Sequence, residues 1–315
     1  LRRPELLLWP EVKRIAIVLA CLLFLGASGA LLWRVKPLKA AAIVIAGYGN
    51  GCTIARALEV EQHLDQLTRT KDSILARQKL IQKDERGFEL YSTPYGDFWA
   101  TSGSRFTLPF NLAEQAAAIY GTGPRAVQKG DIVLDCGANV GAFARFALNA
   151  GAGKVVAIEP APDNVECLRR NFQREIEQGR LIVYPKGVWH KVDVLEMMID
   201  PENQAANTFV IPLKGQHPVV RVPLTTIDNL VQELNLERVD YIKMDIEGAE
   251  VRALEGARGT IAKYRPRMSL SVYHQDDHPV EVPRAARRAW PGYRIECGPC
   301  AMKDLRVRPD VVYLY

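Results

Sequence analysis

The sequence predicts an α/β domain on an open, largely parallel sheet with flanking helices, preceded by an N-terminal transmembrane helix and a helical stalk. Three observations predict it. Residues 131–136 (DIVLDC) form a short apolar strand that runs into a glycine turn and a helical stretch. Residues 154–159 (KVVAIE) form a second apolar strand, and this one ends in an acid. Far upstream, residues 15–33 are nineteen positions without a charge.

The N-terminal element is read from length and flanks. Nineteen apolar residues at 1.5 Å rise are just long enough to cross a hydrocarbon core of ~30 Å. Basic residues flank the run, and Trp9 and Trp33 stand where interfacial rings lie. A cleaved signal peptide is the alternative, with Ala27-Ser28-Gly29-Ala30 as a weak cleavage site. Arg and Lys counts on the two sides are similar, so charge does not set the orientation. Residues 1–39 hold seven basic and two acidic side chains, so they account for the whole net charge of +5. The rest of the chain balances to zero, which removes the electrostatic footprint of a nucleic-acid binder. With 48% hydrophobic and 24% charged residues, disordered and collagen-like classes are excluded as well.

Residues 39–86 read as a juxtamembrane segment and a stalk helix. Within 39–52 a short apolar stretch meets Gly47-x-Gly49, a near-match to a dinucleotide fingerprint, but Cys52 holds the third glycine position. No second strand ending in an acid comes after it, so the segment reads as juxtamembrane instead. Residues 53–84 predict one helix: Val60, Leu67, Ile74 and Ile81 recur every seven positions, while Lys71 and Gln78 interrupt the second seam. That pattern suits a solvated stalk or a helix packed on the domain better than a coiled coil. Residues 88–100 alternate around Pro94-Tyr95-Gly96-Asp97 and predict a β-hairpin.

Chemistry starts at residue 131. Glycines at a strand-to-helix turn let backbone approach a ligand, and the helix start offers free N–H groups. Glu159 comes eighteen residues after Gly141, and a carboxylate there can accept both hydroxyls of a ribose. The turn reads Asp135-x-Gly137-Ala-Asn139-x-Gly141. An acid beside it disfavours a pyrophosphate and favours a cationic group such as the amino group of S-adenosylmethionine. Further on, Asp245-x-Glu247-Gly248 places paired carboxylates at a strand-to-helix turn, where open sheets bind ligands; helix capping is the competing role. His274 closes another apolar strand and is read either as a turn histidine or as a catalytic one. Arg284, Arg287 and Arg288 share one helix face and read as solvated. Cys297-Gly-Pro-Cys300 lacks the strand–motif–helix setting of a redox site, and two nearby ligands for zinc are missing, so these read as surface turn cysteines and no metal is expected.

The segment DCGANVGAFARFALNAGAGKVVAIEPAPDNVECLRRNF resembles the first motif of class I S-adenosylmethionine-dependent methyltransferases, specifically the FkbM-type family. PLTTIDNL at 223–230, VDYIKMDIEGAEVRALEGA at 239–257, MSLSVYH at 268–274 and the strand at 311–315 are similar to its later segments. The resemblance covers about residues 87–315 and implies a Rossmann-like class I methyltransferase sheet. It implies that Asp135, Gly137, Asn139 and Gly141 line the methionine end of S-adenosylmethionine and that Glu159 holds the ribose. It also implies that Lys243, Asp245, Glu247 and Glu250 face the substrate cleft. Cys136 stands where the family commonly has an aliphatic residue.

The expected function is methyl transfer to a hydroxyl of a sugar, glycan or other small-molecule acceptor near a membrane, with the catalytic domain on the cytoplasmic side. His274 has the pKa range suited to a general base, with Asp245 and Glu247 shaping the acceptor site. The alternatives are a non-catalytic membrane-anchored module that keeps the cofactor fold, and methylation of protein or nucleic acid.

Overall fold

The computed structural model describes residues 34–200, 203–211, 215–303 and 305–315. The apolar run at 15–33 lies outside the described residues. Among the described residues no helix is long and apolar enough to cross a membrane.

The chain enters through α1 (Lys36–Ile43), with a proline in its first turn, where a missing N–H breaks no hydrogen bond. A π-type turn over Val44–Tyr48 comes next, so the Gly47-x-Gly49 near-match opens no nucleotide fold. Two helices succeed it, α2 (Ile54–Leu58) and α3 (Val60–Arg77). The single helix expected over 53–84 stops at Arg77 because Gln78 turns extended and the chain enters β1 (Lys79–Lys83). That strand pairs antiparallel with β2 (Glu89–Thr93), which pairs with β3 (Gly96–Ala100) to complete the expected hairpin. An all-exposed edge strand with lysines at both ends suits the outside of a sheet.

The same region is not a solvated stalk. Val60, Leu67 and Ile74 are buried, whereas Leu64 and Ile81 are exposed. The seven-residue stripe is thus a contact seam laid on the domain. Leu67 and Ile74 pack with Phe88, Tyr91 and Phe98 of the hairpin and with Leu108 and Leu112 of α4 (Thr107–Ala116).

The central sheet has seven strands. In chain order they are β4 (Ile132–Cys136), β5 (Lys154–Ile158), β6 (Leu181–Tyr184), β10 (Tyr241–Met244), β11 (Arg267–Ser271), β12 (Ile295–Cys297) and β15 (Val311–Leu314). Between β6 and β10 lie β7 (Gly187–Val188), β8 (Asp193–Met198) and β9 (Val219–Thr225), which form their own small sheet. The spatial order is β12-β15-β11-β10-β4-β5-β6, with β15 antiparallel to β11 and β12. Counted within the sheet this is 3-2-1-4-5-7-6, the Rossmann-like class I methyltransferase arrangement. The strand order reverses between β4 and β10, which is where such sheets bind ligands.

Short runs such as IVLDC and YIKM are buried almost throughout because both sheet faces are covered. One face carries α5 (Ala142–Asn149) and α6 (Pro162–Asn171), with Phe143, Leu148 and Leu168 packed on Val133 and Val155. The short helix α7 (Gln173–Glu177) extends this layer. The other face carries α8 (Ile227–Glu233), α9 (Glu250–Glu255), α10 (Arg258–Tyr264) and α11 (His278–Ala289) around Leu134, Ile242 and Leu270.

Cysteine placement differs from expectation. Cys300 is buried and forms a disulfide with Cys52, 248 residues away in sequence. Cys297 is partly exposed and donates to the Gly51 carbonyl. The motif is therefore the point where the α1–α2 region is fastened to β13 (Cys300–Lys303) and β14 (Arg306–Pro309), with Ala40, Ile43, Ala57 and Val307 packed around it. A turn reading failed because the partner cysteine is remote in sequence.

A cross-link that closes so long a loop restricts the unfolded chain. Cys300→Ser is expected to lower stability by about 2–4 kcal/mol in chemical denaturation without reductant. With reductant present, wild type and variant should unfold at the same denaturant concentration.

Candidate active site

Two turns meet at the switch point. Gly137, directly after β4, has φ of +78°, and a Cβ there would lie 1.9 Å from the Asp245 carbonyl oxygen. Only glycine allows the turn after β4 to sit flush on the turn after β10. Gly141 starts α5 at φ of +96°, and a Cβ there would run into the Phe172 ring at 2.2 Å. Both glycines are thus fixed by packing between elements as well as by backbone conformation.

On the cofactor side, a cavity is lined by Gly137, Asn139, Ile158, Glu159, Val188 and Phe209, among others. Glu159 Oε2 accepts the Asn139 N–H at 2.8 Å, and Oε1 accepts the Ala161 N–H at 2.9 Å. The carboxylate is thereby locked in place, and the Asn164 side chain adds a further hydrogen bond to it. Its burial pushes its pKa up.

Two residues expected in this cavity are placed elsewhere. Asp135 is fully buried behind the turn, with Oδ1 3.2 Å from Lys243 Nζ. Gly141 is held against Phe172. Asp135 therefore acts through Lys243, which donates to the Gly137 carbonyl at 2.8 Å and ties the glycine turn to β10. Burial works against the Lys243 charge, but Asp135 and Asp245 outweigh it and keep the ammonium protonated.

On the other side of Gly137 and Asn139 lies a second cleft, lined in part by Glu114, Tyr120, Lys243, Asp245, Glu247 and Tyr273. Asp245 Oδ2 accepts the Tyr120 hydroxyl at 2.8 Å, and Oδ1 accepts the Tyr273 hydroxyl at 3.3 Å. Burial would raise the Asp245 carboxyl, yet His274, Lys243 and the Tyr120 hydroxyl together hold it below the usual range. Glu247 sits at φ of +52°, in the left-handed region. Its turn is held by the Thr208 hydroxyl donating to the Glu247 carbonyl and by Gln275 donating to the Gly248 carbonyl. Burial lifts its carboxyl above the usual value, against the pull of His274.

His274 stands three residues past β11 with its ring almost wholly buried. Nε2 lies 3.5 Å from Asp245 Oδ1 and 3.4 Å from Glu247 Oε2, and Nδ1 lies 2.9 Å from Glu250 Oε1. Burial pulls its pKa down, but the carboxylates of Glu247, Glu250 and Asp245 prevail and raise it to about 11. In this arrangement the ring is an imidazolium at neutral pH, which does not accept a further proton. This differs from the expectation of a free base, and the reason is the ring of carboxylates that the strand ends bring together.

Glu250 also differs from expectation. It is fully buried, accepts the Ile246 N–H at 3.0 Å and braces His274 from behind instead of facing the cleft. The arginines do not reach the cleft: Arg284 and Arg288 pair with Glu281, and Arg287 donates to the Tyr293 carbonyl. Glu114, Tyr120 and Tyr273 escaped sequence reading. Glu114 and Tyr120 come from α4 and the loop after it, more than a hundred residues from Asp245, and no local spacing marks them.

Strand order, glycine turn and the acid after β5 define a class I methyltransferase fold. Residues 135–288 match the sequence model of the methyltransferase FkbM domain. Comparison with curated proteins finds no match. Among solved structures, methyltransferase FkbM from Methylobacillus flagellatus is similar at 17% identity and a TM-score of 0.47, over 82% of this chain. The present chain spans 62% of that protein's length. Fibrillarin from Aeropyrum pernix, with bound S-adenosyl-L-methionine, aligns at 14% identity and a TM-score of 0.37, over 75% of this chain and 99% of its own. An O-methyltransferase from Bacillus cereus aligns at 13% identity and a TM-score of 0.37, over 68% of this chain and 90% of its own.

The Asp135–Lys243 pair yields a stability prediction. Lys243→Met leaves Asp135 buried and uncompensated and is expected to cost about 3–5 kcal/mol in urea unfolding. Adding Asp135→Leu to it should restore most of that loss, because no buried charge then remains.

Proposed function

We propose that this chain transfers a methyl group from S-adenosylmethionine to a hydroxyl oxygen of a sugar, glycan or other small-molecule acceptor close to a membrane. One observation carries the reading. The cavity that contains Glu159 and the cleft that contains Tyr120 and Tyr273 share the Gly137–Asn139 turn, Asp245 and Glu247. Cofactor and acceptor sites therefore meet at one wall.

S-adenosylmethionine supplies an electrophilic methyl group, so the protein's task is placement of the acceptor and management of its proton. Glu159 would hold the ribose hydroxyls, Gly137 and Asn139 would present backbone to the cofactor, and Lys243 would keep the glycine turn in register. Asp245, Glu247 and His274 would face the acceptor hydroxyl. The FkbM-type domain match supports the reaction class. A cleft of half-buried carboxylates and tyrosine hydroxyls suits a polyhydroxylated acceptor, and it disfavours the polyanionic backbone of a nucleic acid. The non-catalytic alternative loses weight for the same reason: a module that only binds cofactor has no use for a second polar cleft at the methyl end.

The membrane setting is supported by the uncharged run at 15–33 and by the apolar surface next to it in the chain. Val35, just before the first described helix, Leu38 on it, and Ile45 and Tyr48 on its continuation are exposed apolar side chains. Supply of cofactor places the catalytic domain on the cytoplasmic side. The Cys52–Cys300 disulfide is unusual there and would persist by burial of both cysteines.

The test combines labelled S-adenosylmethionine with detergent-solubilised protein and separate membrane and soluble extracts. Label should enter a small-molecule or glycan fraction; label confined to protein or nucleic acid would overturn the acceptor class. In calorimetry, Glu159→Ala should weaken cofactor binding by about 2–3 kcal/mol. Unchanged affinity in a folded variant would remove Glu159 from the cofactor site.

A further inference from the structure

We infer that Asp245, Glu247 and His274 form the protein half of a mononuclear divalent-cation site, open toward the acceptor cleft. The inference deepens the proposed function, since it rests on that reading for the nature of the remaining ligand, an acceptor or water oxygen.

One ligand atom from each of the three side chains falls within a sphere of mutual distances under 4.8 Å. The His274 Nε2 separations of 3.4 and 3.5 Å from the two carboxylate oxygens are long for charge-assisted hydrogen bonds. They match the edge of a tetrahedron whose centre lies about 2.1 Å from each corner, roughly 3.4 Å. Nε2 of His274 makes no well-formed hydrogen bond, although the side chain is only 3% exposed. A buried ring nitrogen without a partner, aimed between two carboxylates, points to a cation between them.

The surroundings have the same character. A histidine that ligates a metal usually places its other ring nitrogen on a carboxylate, which fixes the ring and strengthens the donor. Here Nδ1 lies 2.9 Å from Glu250 Oε1, and Glu250 is itself fixed by the Ile246 N–H. The second oxygen of Asp245 is oriented by the Tyr120 hydroxyl. His278 Nδ1 stands 3.4 Å from the other Glu250 oxygen and completes the supporting layer.

Charge points the same way. Asp245, Glu247 and Glu250 crowd around one imidazole, an excess of negative charge that a divalent cation would balance. One nitrogen and two carboxylate oxygens form a borderline-to-hard donor set, which suits Mn²⁺, Fe²⁺, Co²⁺ or Zn²⁺ and disfavours soft Cu⁺. Three protein ligands leave a position open, and Asp245 and Glu247 both line the acceptor cleft. A hydroxyl oxygen in that position would release its proton to solvent more readily, so the cation would do the work expected of a base. His274 would then be a neutral ligand.

The experiment uses the full chain in detergent, stripped with chelator, and reads binding without turnover. Calorimetric titration with Mn²⁺ or Zn²⁺, checked by elemental analysis after desalting, should give one bound ion per chain. Co²⁺ should produce a visible ligand-field spectrum. His274→Ala and Glu247→Gln should abolish that spectrum, and Glu250→Gln should weaken affinity about 10–100-fold while keeping the stoichiometry. Cys297→Ser should bind as wild type does. Absence of a stoichiometric ion in folded wild type, or undiminished binding in folded Glu247→Gln, overturns the site. Cofactor is titrated separately: metal binding with no cofactor binding would sink the methyltransferase reading and leave the cation site standing, and the reverse result would do the opposite.

Discussion

Everything at the functional end of this molecule depends on how closely two backbone turns approach each other. Gly137 lies against the Asp245 carbonyl with no room for a single added carbon. Behind that contact the Asp135–Lys243 pair joins the same two strands, and Lys243 donates to the Gly137 carbonyl. The two halves of the sheet are therefore locked at the place where their helices diverge. A buried ion pair contributes little net stability, because desolvation offsets attraction. Its value here is geometric: it fixes the wall that the two clefts share.

Around that wall, charge is arranged asymmetrically. In the cavity at Glu159 that carboxylate is held by two backbone N–H groups, and Asp245 and Glu247 form the wall shared with the neighbouring cleft. The cleft beyond it concentrates Asp245, Glu247 and Glu250 around His274, and half-buried Glu114 nearby has its carboxyl pushed well up by desolvation and by Asp245. The cleft on the far side of that wall gathers negative charge in a low-dielectric setting, where electrostatic effects are large.

The N-terminal region is integrated with this domain more than a linker would be. Its helix seam packs on the hairpin and α4, and α4 also supplies Glu114 to the acceptor cleft. At its other end the Cys52–Cys300 cross-link ties the entry helix to the last hairpin. Position of the entering chain and shape of the acceptor cleft are thus mechanically connected through α4.

The sequence by itself determined the βαβ unit, the glycine turn, the acid at Glu159 and the hairpin at 88–100, because each is written in residues close together in the chain. Strand periodicity and turn chemistry are local, and so they are legible. It also marked Asp245, Glu247 and His274 as strand-end groups. Only the tertiary structure decided that these three converge on one another, that Glu250 turns inward to brace the histidine, and that Asp135 is buried against Lys243. It likewise decided that the helix after residue 53 ends at Arg77 and lies on the domain, and that Cys300 finds Cys52. Each of these depends on contacts between residues tens to hundreds of positions apart, where burial and long-range pairing override local preference. A histidine's charge state illustrates the point: the residue is visible in the sequence, but the carboxylates that set its proton arrive from another strand.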